Sequence, residues 1–366
     1  MRNTFAIKRI DRYIIKKFLG TYFFSIILII SIAIVFDVAE KLDEFIEREA
    51  PLNEIVFDYY MNFIPYFANL FSSLFTFIAV IFFTSKMAYN TEIIAVLSSG
   101  VSFKRLMYPY FIGAFTIAAF SWLLMSYVIP PATKEMLDFK YTYIDPIHSD
   151  TRGHNVHRQI EPGTFIYMRT FNVRNNMGTK FSMEKFEEGE LRYKLISDYI
   201  KWDTTDSNWE IHRYYIRHIK PNGEEFIESG RRLDTTLNMK PGDFDRYEEF
   251  VETMNNVKLD AFIEEQRMQG ADNINELLIQ KHSRTAYPFS TFILTLIGVS
   301  LSSRKIRGGI GMHIGLGLLL SFSYILFMRF STMFAITGSV EPLVAVWIPN
   351  VIFAVIALYL YRLAPK

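Results

Sequence analysis

The chain has 366 residues, half of them hydrophobic and 16% aromatic, with a formal net charge of +1 and no cysteine. This composition excludes disulfides, thiolate catalysis and Cys-ligated metal centres, and the near-neutral balance offers nucleic acid no general attraction. The apolar residues come in blocks, and blocks of that kind are membrane spans.

In chain order, MRNTFAIKRIDRYIIKKF is too long and too amphipathic for a cleaved signal, and no small-residue cleavage site follows. The first span is therefore read as retained. Phe18 to Val38 is apolar for about the twenty residues that cross a ~30 Å hydrocarbon core, and an acidic stretch with Pro51 follows it. A second span, Phe57 to Thr84, carries Pro65, which predicts a kink or tilt. Next comes a polar interruption, TEIIAVLSSGVSFKRL, from Thr91 to Leu106, with the look of a docking surface. A third span from Met107 to Ile129 is expected to stop at Pro130-Pro131, and a long polar insert runs from there to about Ser283. Spans four (Thr285 to Leu301), five (Ile310 to Ala335) and six (Leu343 to Tyr361) complete the chain. The expected fold class is a membrane α-helical protein of six spans, three and three, with an inserted all-β, jelly-roll-like domain. Its predicted parts are an N-terminal membrane half (1–130), the β domain with a flanking helical linker (131–283) and a C-terminal membrane half (284–366).

Lys and Arg are concentrated in alternate short loops: Arg2, Lys8, Arg9, Arg12, Lys16 and Lys17 at the start, then Lys86, Lys104 and Arg105, then Arg304, Lys305 and Arg307, and finally Arg362 and Lys366. The other short loops are acidic or nearly uncharged, so the basic side is read as cytoplasmic, with both termini inside and the insert outside. Within the insert, strands are predicted at Thr164 to Phe171, Thr179 to Glu187, Leu191 to Trp202, Asn208 to Ile219 and Glu224 to Ser229, with turn residues between them. That spacing suits a sandwich or jelly-roll. Tyr214-Tyr215-Ile216 puts apolar residues on both faces, which suggests a strand covered on both sides, by another sheet or by a ligand. From Phe244 to Lys281 the pattern turns helical, with a capped start at Asp272 to Glu276.

Chemistry-bearing clusters are weak. His148, His154 and His157 crowd together without ligand spacing, and Glu161, Glu184, Glu187 and Asp198 suit the wet face of a sheet. Neither a nucleophile elbow nor a P-loop occurs, so no catalytic residue, metal or cofactor is assigned and ATP needs a partner chain. Arg329 is the ionisable residue lying well within a span, near its outer end. It either snorkels to water or faces a cavity and meets an anionic headgroup. Asp37 and Lys41 stand at a similar depth, one helical turn apart, and Gly311, Gly315 and their neighbouring glycines form a small-residue face explained by close helix packing.

The strings IDRYIIKKFLGTYFF, TEIIAVLSSGVSFKRL, YPFSTFILTLIGVSL and VEPLVAVWIPNVIF, in this order and on this topology, resemble the LptF/LptG (YjgP/YjgQ) permease family of the lipopolysaccharide-transport ABC exporter, with an N-terminal region nearer LptG. The resemblance implies a Gram-negative inner-membrane location and a periplasmic jelly-roll. As partners it implies a cytoplasmic LptB-like ATPase dimer, a second LptF/LptG-type permease, an LptC-like bitopic protein, a periplasmic jelly-roll bridge and lipopolysaccharide. It places the ATPase-coupling helix at Glu92 to Gly100, with Glu92, Ile93, Val96, Leu97, Gly100 and Arg105 as its contacts. A basic residue that some members carry near the outer end of span one falls on Asp37, moving the cavity-rim contact to Lys41 or Arg329, and GVSLSS stands where many members have GVPLG. The reading is a permease subunit, not an enzyme, extracting lipopolysaccharide from the outer leaflet for a periplasmic bridge. An ion-coupled flippase lacks the buried carboxylates it would need, and a membrane-anchored envelope-lipid enzyme lacks a catalytic cluster.

Overall fold

The computed structural model describes residues 7–144, 154–172, 175–204, 207–221, 223–241, 251–268, 273–304 and 309–364, with backbone alone at 154, 155, 309 and 310. Among the described residues, six helices are long and apolar enough to cross a membrane. They begin with α1 (Arg9–Glu47), which extends the apolar core of span one by several turns at each end. A helical run α2 (residues 52–70) holds Pro65 and a π-helical stretch, Ile55–Tyr60, and is separated from α3 (Ser72–Tyr89) by a break at Phe71. The short α4 (Glu92–Ser98) precedes α5 (Phe103–Ile144). After the sheet come α6 (Asn256–Met268), α7 (Ile274–Ser302), α8 (Gly309–Ile336) and α9 (Pro342–Leu363).

Pro130-Pro131 does not stop the third span, contrary to expectation. The helix continues through Ile129–Phe139 because the turn before it, Leu124–Val128, widens to a π-helix. A wider turn keeps the proline rings off the preceding carbonyls, the clash that would otherwise break the helix.

The chain packs as two compact units: residues 1–42, 60–133 and 275–366 form the first, and residues 43–59 and 134–274 the second. In the first, Phe18, Phe83 and Tyr110 stack at the centre, with Phe83 and Tyr110 ring centroids 5.3 Å apart. Glycines let helices close on that core. A Cβ on Gly113 would meet Phe18 at 2.4 Å, and one on Gly317 would meet Ile81 at 2.3 Å. Gly311 and Gly315, by contrast, face open space. The predicted small-residue stripe therefore splits, and within this chain close packing accounts for Gly317 but not for the other two.

The second unit is built on a six-stranded antiparallel sheet: β1 (His154–Glu161), β2 (Thr164–Asn172), β3 (Met177–Glu187), β4 (Glu190–Asp203), β5 (Asn208–Ile219) and β6 (Glu225–Thr235). The strands lie in sequential order, each hydrogen-bonded to the next, so the described sheet is a meander. The fold is thus a membrane helical protein with an inserted β domain. One face is apolar and buried, formed by Ile166, Met168, Phe171, Phe181, Leu195, Ile200, Trp209, Ile211 and neighbours. Trp209 is fully buried and donates its Nε1 hydrogen to the Met239 carbonyl at 3.0 Å, so its one polar group is satisfied.

The sheet keeps its apolar face inward by an extra residue at one transverse line. Buried positions three apart flank that line on successive strands: Met168 and Phe171, Gly178 and Phe181, Ser197 and Ile200, Ile211 and Tyr214. Strict alternation would have turned half of each strand inside out. Two residues on the line, Lys180 and Arg213, hold left-handed backbone at φ +52° and +53°. The same shift resolves Tyr214-Tyr215-Ile216. Tyr214 and Ile216 are buried and Tyr215 is 64% exposed, so among the described residues no second sheet covers the outer face of this strand.

Candidate functional site

Residues 91–106 fold as a helix, a stop and a second helix start. Thr91 takes left-handed backbone at φ +61°, which swings the chain out of α3 and into α4. At the other end Gly100 sits at φ +85° with its N–H bonded to the Leu97 carbonyl at 3.0 Å, a left-handed stop suited to glycine. Ser102 then caps α5, its hydroxyl accepting from the Arg105 N–H at 3.3 Å.

Two polar clamps tie this segment to the start of α1. Arg105 grips Asp11 with both guanidinium nitrogens, at 2.7 and 2.6 Å, and Asp11 is 1% exposed. That carboxylate also accepts from the Lys8 backbone N–H at 2.7 Å. Across from it, the Tyr13 hydroxyl donates to Glu92 Oε2 at 3.1 Å, while Asn90 Nδ2 reaches Oε1 at 3.4 Å. Asp11 and Tyr13 are not among the residues singled out from sequence, although both lie in the IDRYIIKKFLGTYFF string. A carboxylate in the first turn of a helix reads as a dipole partner unless its distant arginine is known.

The faces of α4 divide cleanly. Ile93 is 1% exposed and belongs to the same core as Phe103, Leu106 and Met107, with Val96 and Leu97 half-buried against it. Ile94 is 50% exposed and shares the outer face with Ala95, Ser98, Ser99 and Gly100. Of the sequence-assigned contacts, Ile93 thus anchors the helix from beneath. Ile94, which sequence reasoning passed over, is the apolar group presented outward.

At the far end of α1, Asp37 Oδ1 accepts from Lys41 Nζ one turn on, and Oδ2 accepts from the Tyr60 hydroxyl at 3.1 Å. Arg329 is exposed on α8 beside exposed Leu326, Phe330 and Met333, and carries no ion-pair partner among the described residues. It stands twenty residues after Gly309, about 30 Å along the helix. The structure does not bring Arg329 into bonding contact with Asp37 or Lys41.

In the sheet, Glu184 pairs with Lys194 at 2.7 Å and Asp198 with Arg213 at 3.0 Å, while the His157 ring lies 4.6 Å from that of Tyr167. These are surface pairings of strand neighbours. His148 and the side chain of His154 lie outside the described residues. Burial, with the Glu228 carboxylate acting in the same sense, pushes the Tyr193 phenol up to about 12.

Comparison with curated proteins found no match to the chain. The family model described as lipopolysaccharide export system permease LptF/LptG matches residues 12–363, from the second turn of α1 to the last residue of α9. With six helices fit to cross a membrane, a β domain inserted after the third and a match over nearly the whole length, the chain belongs to the LptF/LptG family of lipopolysaccharide export permeases.

Proposed function

We propose that this chain is one permease subunit of an ATP-driven lipopolysaccharide exporter, receiving force from a cytoplasmic ABC ATPase dimer through α4. The observation that carries the reading is the construction of α4 itself. A helix of seven residues is anchored below by Ile93, clamped to α1 through Glu92 and Tyr13, followed by the Arg105 to Asp11 clamp, and left open along Ile94 and Ala95. A short helix held on one side and presenting Ile94 on the other transmits a push without deforming.

The rest of the reading follows from charge and chemistry. The basic loops face the cytoplasm together with both termini, and residues 131–283 supply the periplasmic β domain between membrane halves 1–130 and 284–366. Gly311 and Gly315, open and four residues apart on α8, suit close approach by a helix of a second LptF/LptG-type permease. Arg329, exposed and without an ion-pair partner among the described residues, meets lipopolysaccharide phosphate at the outer rim, where Lys41 is already engaged by Asp37. An LptC-like bitopic protein and a periplasmic jelly-roll bridge receive the cargo.

Ile94→Glu tests the assignment without touching the buried face of α4. Co-purification of the ATPase with the membrane subunits is expected to fall about tenfold, the order of a lost apolar anchor replaced by a desolvated charge. The thermal transition of the permease itself should stay in place. Undiminished ATPase association would overturn the coupling role of α4.

A further inference from the structure

We propose that the outer face of the sheet binds an anionic oligosaccharide laid across the strands. The inference goes beyond the export reading and does not depend on it.

The pairing registers align one residue from each of β2 to β6 in a straight row. Thr170 and Val156 flank the crossing of β1 and β2, Thr179 and Phe181 that of β3, Tyr199 and Ser197 that of β4, His212 and Tyr214 that of β5, and Arg232 and Gly230 that of β6. Between them, side by side, stand Arg169, Lys180, Asp198, Arg213 and Arg231. This is the transverse line at which the sheet inserts its extra residue, and all five side chains project away from the apolar core. Lys180 and Arg213 are 63% and 69% exposed, and each reaches Asp198, at 3.5 and 3.0 Å. Arg169 and Arg231, at the two ends, are exposed and carry no ion-pair partner among the described residues. Neighbouring strands lie about 4.8 Å apart, so Arg169 and Arg231 are separated by ~19 Å, with four cations and one carboxylate along that length.

A second row runs parallel to the first, two residues along each strand and therefore on the same face. It reads His157, Tyr167, Ser182, Ile196, Tyr215, Ser229 across the six strands, each directly opposite the next. Tyr215 and Ile196 stand exposed there.

The two rows together select the ligand. Cations alone would take any anion, but a tyrosine ring beside them offers a flat surface to the C–H face of a sugar ring, and hydroxyls at Ser182 and Ser229 add donors and acceptors. Asp198, held between Lys180 and Arg213, accepts from sugar hydroxyls while the terminal arginines take phosphate or carboxylate substituents in charge-assisted bonds. An acidic polypeptide fits less well, because an extended peptide gains affinity along a sheet edge where backbone groups are free. This row crosses the interior strands, whose backbone is already paired. A ~19 Å strip matches several linked sugars.

The test uses the full chain in nanodiscs of zwitterionic lipid, with no ATPase present. Four probes are compared: delipidated, phosphate-bearing core oligosaccharide released from lipopolysaccharide, uncharged dextran oligosaccharide, poly-glutamate and phosphatidylglycerol vesicles. The expected result is saturable binding of the phosphate-bearing oligosaccharide and none of dextran. Arg169→Gln with Arg231→Gln should weaken that binding about tenfold, and Tyr215→Ala severalfold, all at surface positions that leave the thermal transition unmoved. Absence of oligosaccharide binding overturns the proposal, as does binding indifferent to both sets of substitutions. Equal binding of poly-glutamate that ignores Tyr215→Ala would make the face a site for an acidic protein. Vesicle capture that oligosaccharide does not compete would make it a lipid-facing surface. Because the readout needs neither ATP nor transport, its failure leaves the export assignment untouched, and failure of that assignment leaves this one standing.

Discussion

Helix α1 carries an aspartate–cation pair near each end, and the two behave differently. Asp11 and Arg105 are 94 residues apart, joined by two parallel hydrogen bonds, with the carboxylate 1% exposed. Asp37 and Lys41 are one turn apart on the same helix and both partly exposed. The first pair holds two helices together. The second neutralises a charge on one helix, and the Tyr60 hydroxyl extends it to α2. Equal chemistry thus yields a clamp at one end and a local adjustment at the other, because separation along the chain and burial decide what a salt bridge can fix.

Breaking each pair from its cationic side should expose the difference most strongly. Arg105→Ala leaves a buried carboxylate without its partner, and the expected loss is about 3 kcal/mol, read as a lowered thermal transition of the detergent-solubilised protein. Lys41→Ala should cost ~0.5 kcal/mol or less, the value of a pair one turn apart on a single helix. Comparable losses from the two would erase the distinction. An intermediate effect is expected from Tyr60→Phe, about 1 kcal/mol for the hydrogen bond that ties Asp37 to α2. Should Tyr60→Phe cost no more than Lys41→Ala, the outer end of α1 would not depend on that bond.

Those contrasts also mark what the sequence could and could not disclose. The spans were legible because about twenty apolar residues in a row have few other uses, and α1, α8 and α9 contain their predicted cores. Five strands were legible from alternation and turn residues. The sixth, His154–Glu161, was hidden because its polar residues read as a histidine cluster. Pro130-Pro131 misled because a π-helical turn two residues earlier absorbs what would otherwise break the helix, and no composition rule announces one. At the candidate site Glu92 was legible through its string, but Tyr13 and Asp11 were not, since long-range partners leave no local periodicity. The choice of Ile94 over Ile93 as the outward residue depends on which side of α4 the core lies, a tertiary fact.

The smallest effect concerns a third kind of pair, on the sheet, where two strands meet in water. Arg217 donates to Glu225 from Nε at 2.9 Å and from a terminal nitrogen at 2.5 Å, a bidentate grip across β5 and β6 at a half-exposed position. The Arg217 hydrogen bond holds the Glu225 carboxyl below its ordinary value, with Arg217's charge acting in the same sense and desolvation opposing both. A carboxyl whose folded value is lowered contributes stability that is complete above its unfolded value, near 4.5, and is lost as pH falls through the lowered folded value. The contribution is therefore present in full at pH 7 and disappears on the acid side. Arg217→Gln should lower the thermal transition slightly at pH 7 and converge on the parent protein as pH falls below about 4.5, flattening the pH dependence there, with added salt shrinking the difference at pH 7. Asp11, buried and gripped the same way, should resist salt where this pair yields. A pair at the sheet surface that proved as salt-resistant as the clamp on α1 would mean that bidentate geometry, rather than burial, sets the worth of these contacts.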